Sequence, residues 1–348
     1  HKFSVFGFSA FLSKIKIQEY WLYELYHKGA GGCFFESNGK KRPVLEESIT
    51  LTNAEKNKFE IYADDFEGNE TSLFLTEMNR GKKYSEGSKL SFFRDVYRWI
   101  QDNITVITPD TPLIDLEYYY DTNSLKLINQ LIKTFDTGID EVKIQEISLD
   151  ELSSVMPKPV FDKVVHHMKT QIEEQKKPSF RMTMRSNESF FNIEVEGHSE
   201  PKVTTIRLKH DKSFFDFGFE EESDGTRRLF DLMDMLLNKR EDMLYVVDEL
   251  ERSLHPKLTE RFLQLFMQLH SADRMQLLFT THESSIMDQS IFRRDEIWFI
   301  ERNAENASVI YSLDRFKERY DKVLSKAYLE GRYGAIPVFR TFESGEEE

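Results

Sequence analysis

Hydrophobic and polar positions change rhythm three times along this chain, and each rhythm predicts a different kind of element. Over the first 80 residues, short aromatic-rich runs such as KFSVFGFSAFL and YWLYELY alternate with turn clusters such as HKGAGG and FEGNE. This texture predicts mostly antiparallel strands with a short helix or two. Apolar positions recur at helical spacing over 87–103 and 123–135, the second run ending near Gly138 as a C-cap. Helical spacing returns over 149–176, interrupted by Pro157 and Pro159, and closes in the charged EEQKKP. Alternation resumes from 178 to 219 in FRMTMR, FFNIEVEG, VTTIRLKH and FFDFGF, which reads as strands or hairpins. No internal repeat is evident.

From residue 226 the rhythm becomes a regular exchange of helix and strand. Thr226–Lys239 is expected to be helical, MLYVV (243–247) a short buried strand, and Pro256–His270 a helix with proline in its first turn. QLLFT (276–280), EIWFI (296–300) and SVIYSL (308–313) follow as strands. Apolar strands separated by helices imply a parallel or mixed sheet covered on both faces, with ligands bound at the carboxyl ends of the strands. The expected fold class is therefore α/β: a mixed or parallel sheet flanked by helices, an antiparallel β lobe and a helical insertion. The expected division is 1–100 as a β-rich N-terminal part, 101–200 as a mainly helical insertion lobe with hairpins, and 201–348 as a C-terminal subdomain.

Composition narrows the setting. With 348 residues, 39% hydrophobic and 31% charged, the chain can bury a sizeable core. A formal net charge of −14 argues against coating nucleic acid by bulk electrostatics, although a local basic groove remains open. Cys33 is the only cysteine, so no internal disulfide forms, and no signal peptide or membrane-length apolar run occurs. A reducing, cytoplasmic setting without membrane contact is expected.

Three short stretches carry candidate chemistry. LYVVDELERSLHP places Asp248 and Glu249 directly after an apolar run. There Asp248 can hold Mg²⁺ through water and Glu249 can polarise a water for attack on a phosphate; equally, a strand has simply ended in two solvated acids. QLLFTTHE ends a second strand in Thr280, Thr281, His282 and Glu283. His282 at that place can donate to a γ-phosphate or be an ordinary loop histidine. An HExxH zinc site is excluded, because the residue three after Glu283 is Ile286. In EESDGTRRLF, Ser223 and Gly225 fall where a helix begins, which suits either a phosphate or a routine N-cap. His166 and His167 are adjacent on a helix and face different directions, which argues against a shared metal site.

Taken in order and spacing, these stretches resemble the ABC-type ATPase head. ESDGT (222–226) resembles the signature motif, VVDE (246–249) Walker B, SLH (253–255) the D-loop and TTHE (280–283) the switch-histidine loop. EESDGTRRL, DELERSLHP, IQEYWLYELY, FDTGIDEVKI and GRYGAIPVF together look like the OLD-like AAA-type ATP-binding proteins of prokaryotes, often found beside a nuclease or other toxic effector in phage defence. The resemblance implies ATP and Mg²⁺ as cofactors and at least a homodimer, since each protomer's signature caps a nucleotide held by the other. It implies Glu249 as activator of water, Asp248 as the Mg²⁺ residue and His282 as the γ-phosphate contact. Ser223, Asp224, Gly225 and Thr226 become the ATP contacts in trans, with Ser253, Leu254 and His255 as the D-loop that couples the two sites. Arg227 and Arg228 would stabilise the interface or the signature loop, or form a solvated face.

Two departures accompany this resemblance. His255 stands where many relatives carry aspartate. No G-x-x-x-x-G-K-S/T occurs: Gly39-Lys40 is followed by Lys41 and preceded at the needed position by Phe34, and Gly81-Lys82 has Lys83 and Thr76 there. The expectation is a P-loop on a segment upstream of these residues. The function expected is an ATP-hydrolysing switch that regulates a partner effector, a nuclease or toxin, in anti-phage defence. The alternatives are a DNA-repair-type ATPase clamp, against which the acidic balance counts, and a nucleotide-dependent scaffold without useful turnover.

Overall fold

The computed structural model describes residues 2–11, 16–26, 32–38, 42–45, 50–69, 71–109, 119, 122–170, 179–185, 190–196, 199–317 and 323–337, with backbone alone for the strands before residue 42. The chain separates into two compact units, His1–Ile104 and Thr105–Glu348.

In the first unit β1 (Lys2–Phe11), β2 (Lys16–Tyr26), β3 (Gly32–Asn38) and β4 (Val44–Leu45) form one antiparallel sheet in chain order. The helices α1 (Asn53–Phe66), α2 (Phe74–Asn79) and α3 (Phe92–Asn103) follow. Their core is aromatic: the Phe74 ring meets those of Phe59, Phe66 and Phe93 edge-on, with Leu75, Met78 and Leu90 buried around them. A capping box fixes the start of α1, with Thr52 and Glu55 bonding reciprocally. Glu55 also accepts from the Ser88 hydroxyl and the Lys89 amide, and together these bonds hold its carboxyl down at about 2.

Among the described residues the second unit holds three sheets. β5 (Ile104–Ile107), β11 (Leu244–Val247) and β12 (Gln276–Phe279) are ordered β12-β11-β5, each four residues long, with β11 and β12 parallel. A longer antiparallel sheet comprises β6 (Ile139–Ile147), β7 (Ser179–Arg185), β8 (Phe190–Glu196), β9 (Lys202–His210) and β10 (Asp216–Phe217). In it β9 pairs with β6 along one edge and with β8 and then β10 along the other. The third is a hairpin of β13 (Trp298–Arg302) and β14 (Ser308–Ser312). Helices α4 (Thr122–Ile132), α5 (Leu149–Val155), α6 (Lys158–Lys169), α7 (Asp224–Leu237), α8 (Pro256–Leu269) and α9 (Leu324–Leu329) complete the unit. The α/β class expected from the alternation is thus observed, with parallel and antiparallel sheets side by side.

The main core centres on α7. Leu229, Phe230, Leu232, Met233, Met235, Leu236 and Leu237 are all buried, so the helix presents apolar side chains on nearly every side. Phe230 packs against Tyr119 and Phe219, and the Tyr119 hydroxyl donates to the Phe230 carbonyl at 3.0 Å. Two sequence expectations are corrected. EIWFI and SVIYSL do not join the parallel sheet but pair with each other, because the 303–307 connection is far shorter than the roughly dozen-residue crossover that parallel neighbours require. The C-cap expected at Gly138 is taken by Asp136, which turns left-handed at φ 51 after α4 tightens into a 3₁₀ turn. Among the described residues no helix is long and apolar enough to cross a membrane.

Candidate functional site

Register places the first site residues. Val247 on β11 pairs with Phe279 on β12, so Asp248 and Thr280 leave the sheet together at its carboxyl end. The Thr280 hydroxyl donates to Asp248 Oδ1 at 2.5 Å and accepts from the Glu249 amide at 2.9 Å. The main chain closes the same turn. Thr280 N donates to the Val247 carbonyl (3.0 Å), Leu250 N to the Thr280 carbonyl (3.1 Å) and Asp248 N to the Ile107 carbonyl (2.8 Å).

The turn is strained at two non-glycine residues, Glu249 (φ 49) and Ser253 (φ 62). Each such residue costs on the order of 1–3 kcal/mol and survives only where its surroundings over-determine it. Here the Thr280 bond fixes the Glu249 amide, while its carbonyl accepts from Arg252 N (3.0 Å) and from Arg228 Nη2 (3.2 Å). The outcome is a half-exposed Glu249 carboxylate with Oε1 3.8 Å from His282 Nε2, too far for a direct hydrogen bond but close enough to share one water or phosphate oxygen. The His282 ring is 86% exposed, and its amide is anchored by Glu251 Oε1 at 2.7 Å.

The helix start of EESDGTRRLF is built on the same turn. Ser223 is the N-cap of α7 and accepts from Thr226 N at 3.1 Å, with the two hydroxyls 3.0 Å apart. Asp224 and Arg227 form an i,i+3 ion pair at 2.6 Å. Gly225 lies so close to the next strand-end loop that a Cβ there would stand 2.7 Å from the Ser253 carbonyl oxygen. Only glycine fits, for reasons of approach rather than of backbone angle. One turn on, Arg228 is only 7% exposed; burial pulls its pKa below the ordinary guanidinium value, against the opposing pull of Asp231. Of the two readings of the arginine pair, the solvated face fails for Arg228, which runs beneath the 248–253 turn. Leu254 is buried, and His255 caps α8 by accepting from Lys257 N at 3.2 Å.

The structure therefore gathers Asp248, Glu249 and His282 at one strand-end cluster and ties Gly225 and Ser253 to it from behind. Ser223, Asp224 and Thr226 make their hydrogen bonds within their own helix start. Three features go beyond the sequence reading: the bonds that Thr280 makes to Asp248 and Glu249, Glu251 as the anchor of His282, and the burial of Arg228. Thr280 carried a usable signal, since it follows its apolar run at the same offset as Asp248. Among the described residues no group of three or more His, Cys, Asp or Glu is gathered as a metal site. Asp248 and the Thr280 hydroxyl offer two neighbouring hard oxygens, a donor set that suits a cation keeping most of its waters, as Mg²⁺ does.

A family model described as AAA domain, putative AbiEii toxin, Type IV TA system matches residues 32–288. Among solved structures, that of the SmcHead bound to the C-winged helix domain of ScpA is similar at a TM-score of 0.28 and 14% identity, over 90% of this chain and 76% of that chain. No curated protein matches.

Proposed function

This chain belongs to the family described as AAA domain, putative AbiEii toxin, Type IV TA system, an AAA/ABC-type ATPase domain, and from that premise we propose that it binds and hydrolyses Mg-ATP as a dimerising switch. The observation that carries this reading is the in-register end of β11 and β12, where Thr280 locks Asp248 and the Glu249 amide while His282 stands opposite Glu249. Phosphoryl transfer needs positioning and charge stabilisation more than covalent help from the protein, and this cluster is rigid where it must position and open where it must receive.

Glu249 accepts a proton from the attacking water, His282 donates to the γ-phosphate, and Asp248 with Thr280 holds the water shell of Mg²⁺. Held there by Asp248 and Thr280 through its waters, Mg²⁺ would supply charge neutralisation to the phosphates. The helix start at Ser223–Thr226 offers the positive end of α7 to the γ-phosphate of a nucleotide on a second protomer. Ser253, Leu254 and His255 carry the state of one site to the other through Gly225 and Arg228. No G-x-x-x-x-G-K-S/T lies within these 348 residues, so they supply the hydrolytic and capping elements, not the phosphate cradle. The work done by the switch is control of a partner effector, a nuclease or toxin, in defence against phage.

Mixing two inactive variants tests the arrangement in trans. Ser223→Arg removes capping and Glu249→Gln removes the base, yet a mixed dimer keeps one intact composite site. Each variant alone is expected to be inactive, and the mixture to regain a substantial fraction of phosphate release. No recovery would place signature and base in the same protomer.

A further inference from the structure

The connection between β9 and β10 carries two adjacent aromatic side chains in water: Phe214 is 98% and Phe215 78% exposed. No other large apolar side chain among the described residues is as bare, and the pair forgoes the burial that stabilises phenylalanine elsewhere in the chain. The tip that displays them is ordered by its own hydrogen bonds. Asp211 N donates to the Gly138 carbonyl and Ser213 N to the His210 carbonyl, both at 3.1 Å, and Lys212 between them is left-handed at φ 63. The Ser213 hydroxyl then accepts from Phe215 N (3.1 Å) and donates to the Phe215 carbonyl (2.7 Å). Aromatic side chains held ready on a preorganised loop are what the energetic centres of protein interfaces are made of. From the tip the chain runs to the start of α7 along the antiparallel sheet, tied down at three points. Asp216 pairs with Lys143 of β6 at 2.9 Å, Glu220 with Arg207 of β9 at 3.8 Å, and Glu222 with His210 of β9 at 2.5 Å. Phe219 adds an apolar tie, packed edge-on against Phe190 and Phe230. The Glu222 side chain is only 5% exposed, and the next residue is Ser223, the N-cap of α7.

We propose that Phe214 and Phe215 are the docking point for a different protein, one that offers an apolar pocket rimmed by lysine or arginine, and that its arrival is passed to the start of α7 through the His210–Glu222 pair. Charge decides the kind of partner. Residues 211–222 hold five acids, Asp211, Asp216, Glu220, Glu221 and Glu222, against the single cation Lys212, and all but Glu222 of these acids are exposed. A surface that receives the two rings therefore meets carboxylates around them, which a basic rim complements and an anionic lipid surface repels. A second copy of this chain is a poor host: the groove of about 500 Å³ beside α8 is apolar but has Glu296 and neither lysine nor arginine in its lining. The three ties explain how docking reaches the helix. Movement of the tip is carried by a segment fixed to β6 and β9, and its last anchor, buried Glu222, is bonded directly to the cap residue. The docking point stands on its own; the passage to α7 rests on the ATP reading above and supplies the route by which a partner and the nucleotide site sense each other.

The test places a photo-crosslinking amino acid at Phe215 in the protein as its gene encodes it, within its own cells, and sequences the joined peptides. The captured protein is then purified and titrated onto wild type and onto the double variant Phe214→Ala, Phe215→Ala. The expected peptide comes from another protein and combines apolar residues with lysine or arginine. The expected loss of affinity in the double variant is about 30-fold or more, with binding also weakened by added salt. Cross-links to this same chain or to a second copy, to lipid, or to nothing overturn the docking point, as does a captured protein that binds the double variant as well as wild type. For the passage to α7, phosphate release from Mg-ATP is followed with and without the captured protein. Wild type should change its rate on docking, whereas His210→Ala and Glu222→Gln should bind equally well and show no change; an equal response in those variants removes the His210–Glu222 route. If the protein docks its partner but releases no phosphate in any sample, the ATP reading and the passage fall together and the docking point remains.

Discussion

The two larger sheets of the second unit are built from the same residue types and do opposite jobs. The antiparallel sheet runs on strands of seven to nine residues, apart from the short β10, with Ile193, Val203, Ile206 and Leu208 buried at its centre. Its polar groups are largely spent on ordinary cross-strand pairs such as Lys143–Asp216 and Arg181–Glu194. The parallel sheet has strands of only four residues, and its polar side chains meet at the strand ends, where Thr280 bonds both the Asp248 carboxylate and the Glu249 amide and Glu251 bonds the His282 amide. Both sheets bury apolar side chains, Ile107, Tyr245 and Val247 among them in the short one, which is in addition held at one end by Thr280, Glu251 and Arg228. The lesson is that strain and exposed polarity concentrate where the sheet is shortest, next to the residues proposed to handle phosphate.

If that contrast is right, mutations in the two sheets should separate stability from turnover. Ile206→Ala, in the middle of the long sheet, is expected to cost about 2–5 kcal/mol in urea unfolding while leaving turnover per folded molecule unchanged. A large fall in turnover would break the comparison. Thr280→Val keeps the volume but removes one donor and one acceptor, and should cost about 1–3 kcal/mol. Its main effect should fall on phosphate release, with Thr280→Ser restoring most of the loss; a purely structural threonine would not show that rescue. Arg228→Met replaces a desolvated cation by an apolar side chain of similar length. Its stability change is expected to be smallest, within about 1 kcal/mol, because the relief of burying a charge offsets the lost bond to the Glu249 carbonyl. Turnover should nevertheless slow, as Glu249 loses one of the contacts that hold its left-handed turn; unaltered turnover would mean that Thr280 and the Arg252 amide suffice to fix the base.

Much of this was legible in the sequence, for identifiable reasons. Period-two alternation marked β7 to β9, and apolar runs ending in Asp248 and Thr280 marked β11 and β12, because strand ends leave a sharp polarity step. Ser223 was readable as an N-cap from residue type alone. What stayed hidden depended on partners distant in the chain. Gly225 reads as a phosphate contact or as a glycine beside a routine N-cap until Ser253 is seen against it. Arg228 reads equally as a support of the signature loop and as half of a solvated basic pair until α7 proves to be buried nearly all round. The pairing of β13 with β14 was obscured by apolar runs that look alike in parallel and antiparallel sheets, although the short 303–307 connection already contained the answer.

The most direct measurement is phosphate release from Mg-ATP by the protein as its gene encodes it, wild type beside Glu249→Gln, with assembly size followed in the same samples. The expected result is slow turnover by the wild type, a loss of about 10²-fold or more in the variant, and retention of ATP in a larger assembly. Turnover by Glu249→Gln at the wild-type rate would contradict the assignment of the base, and with it the reading of the strand-end cluster as a nucleotide site.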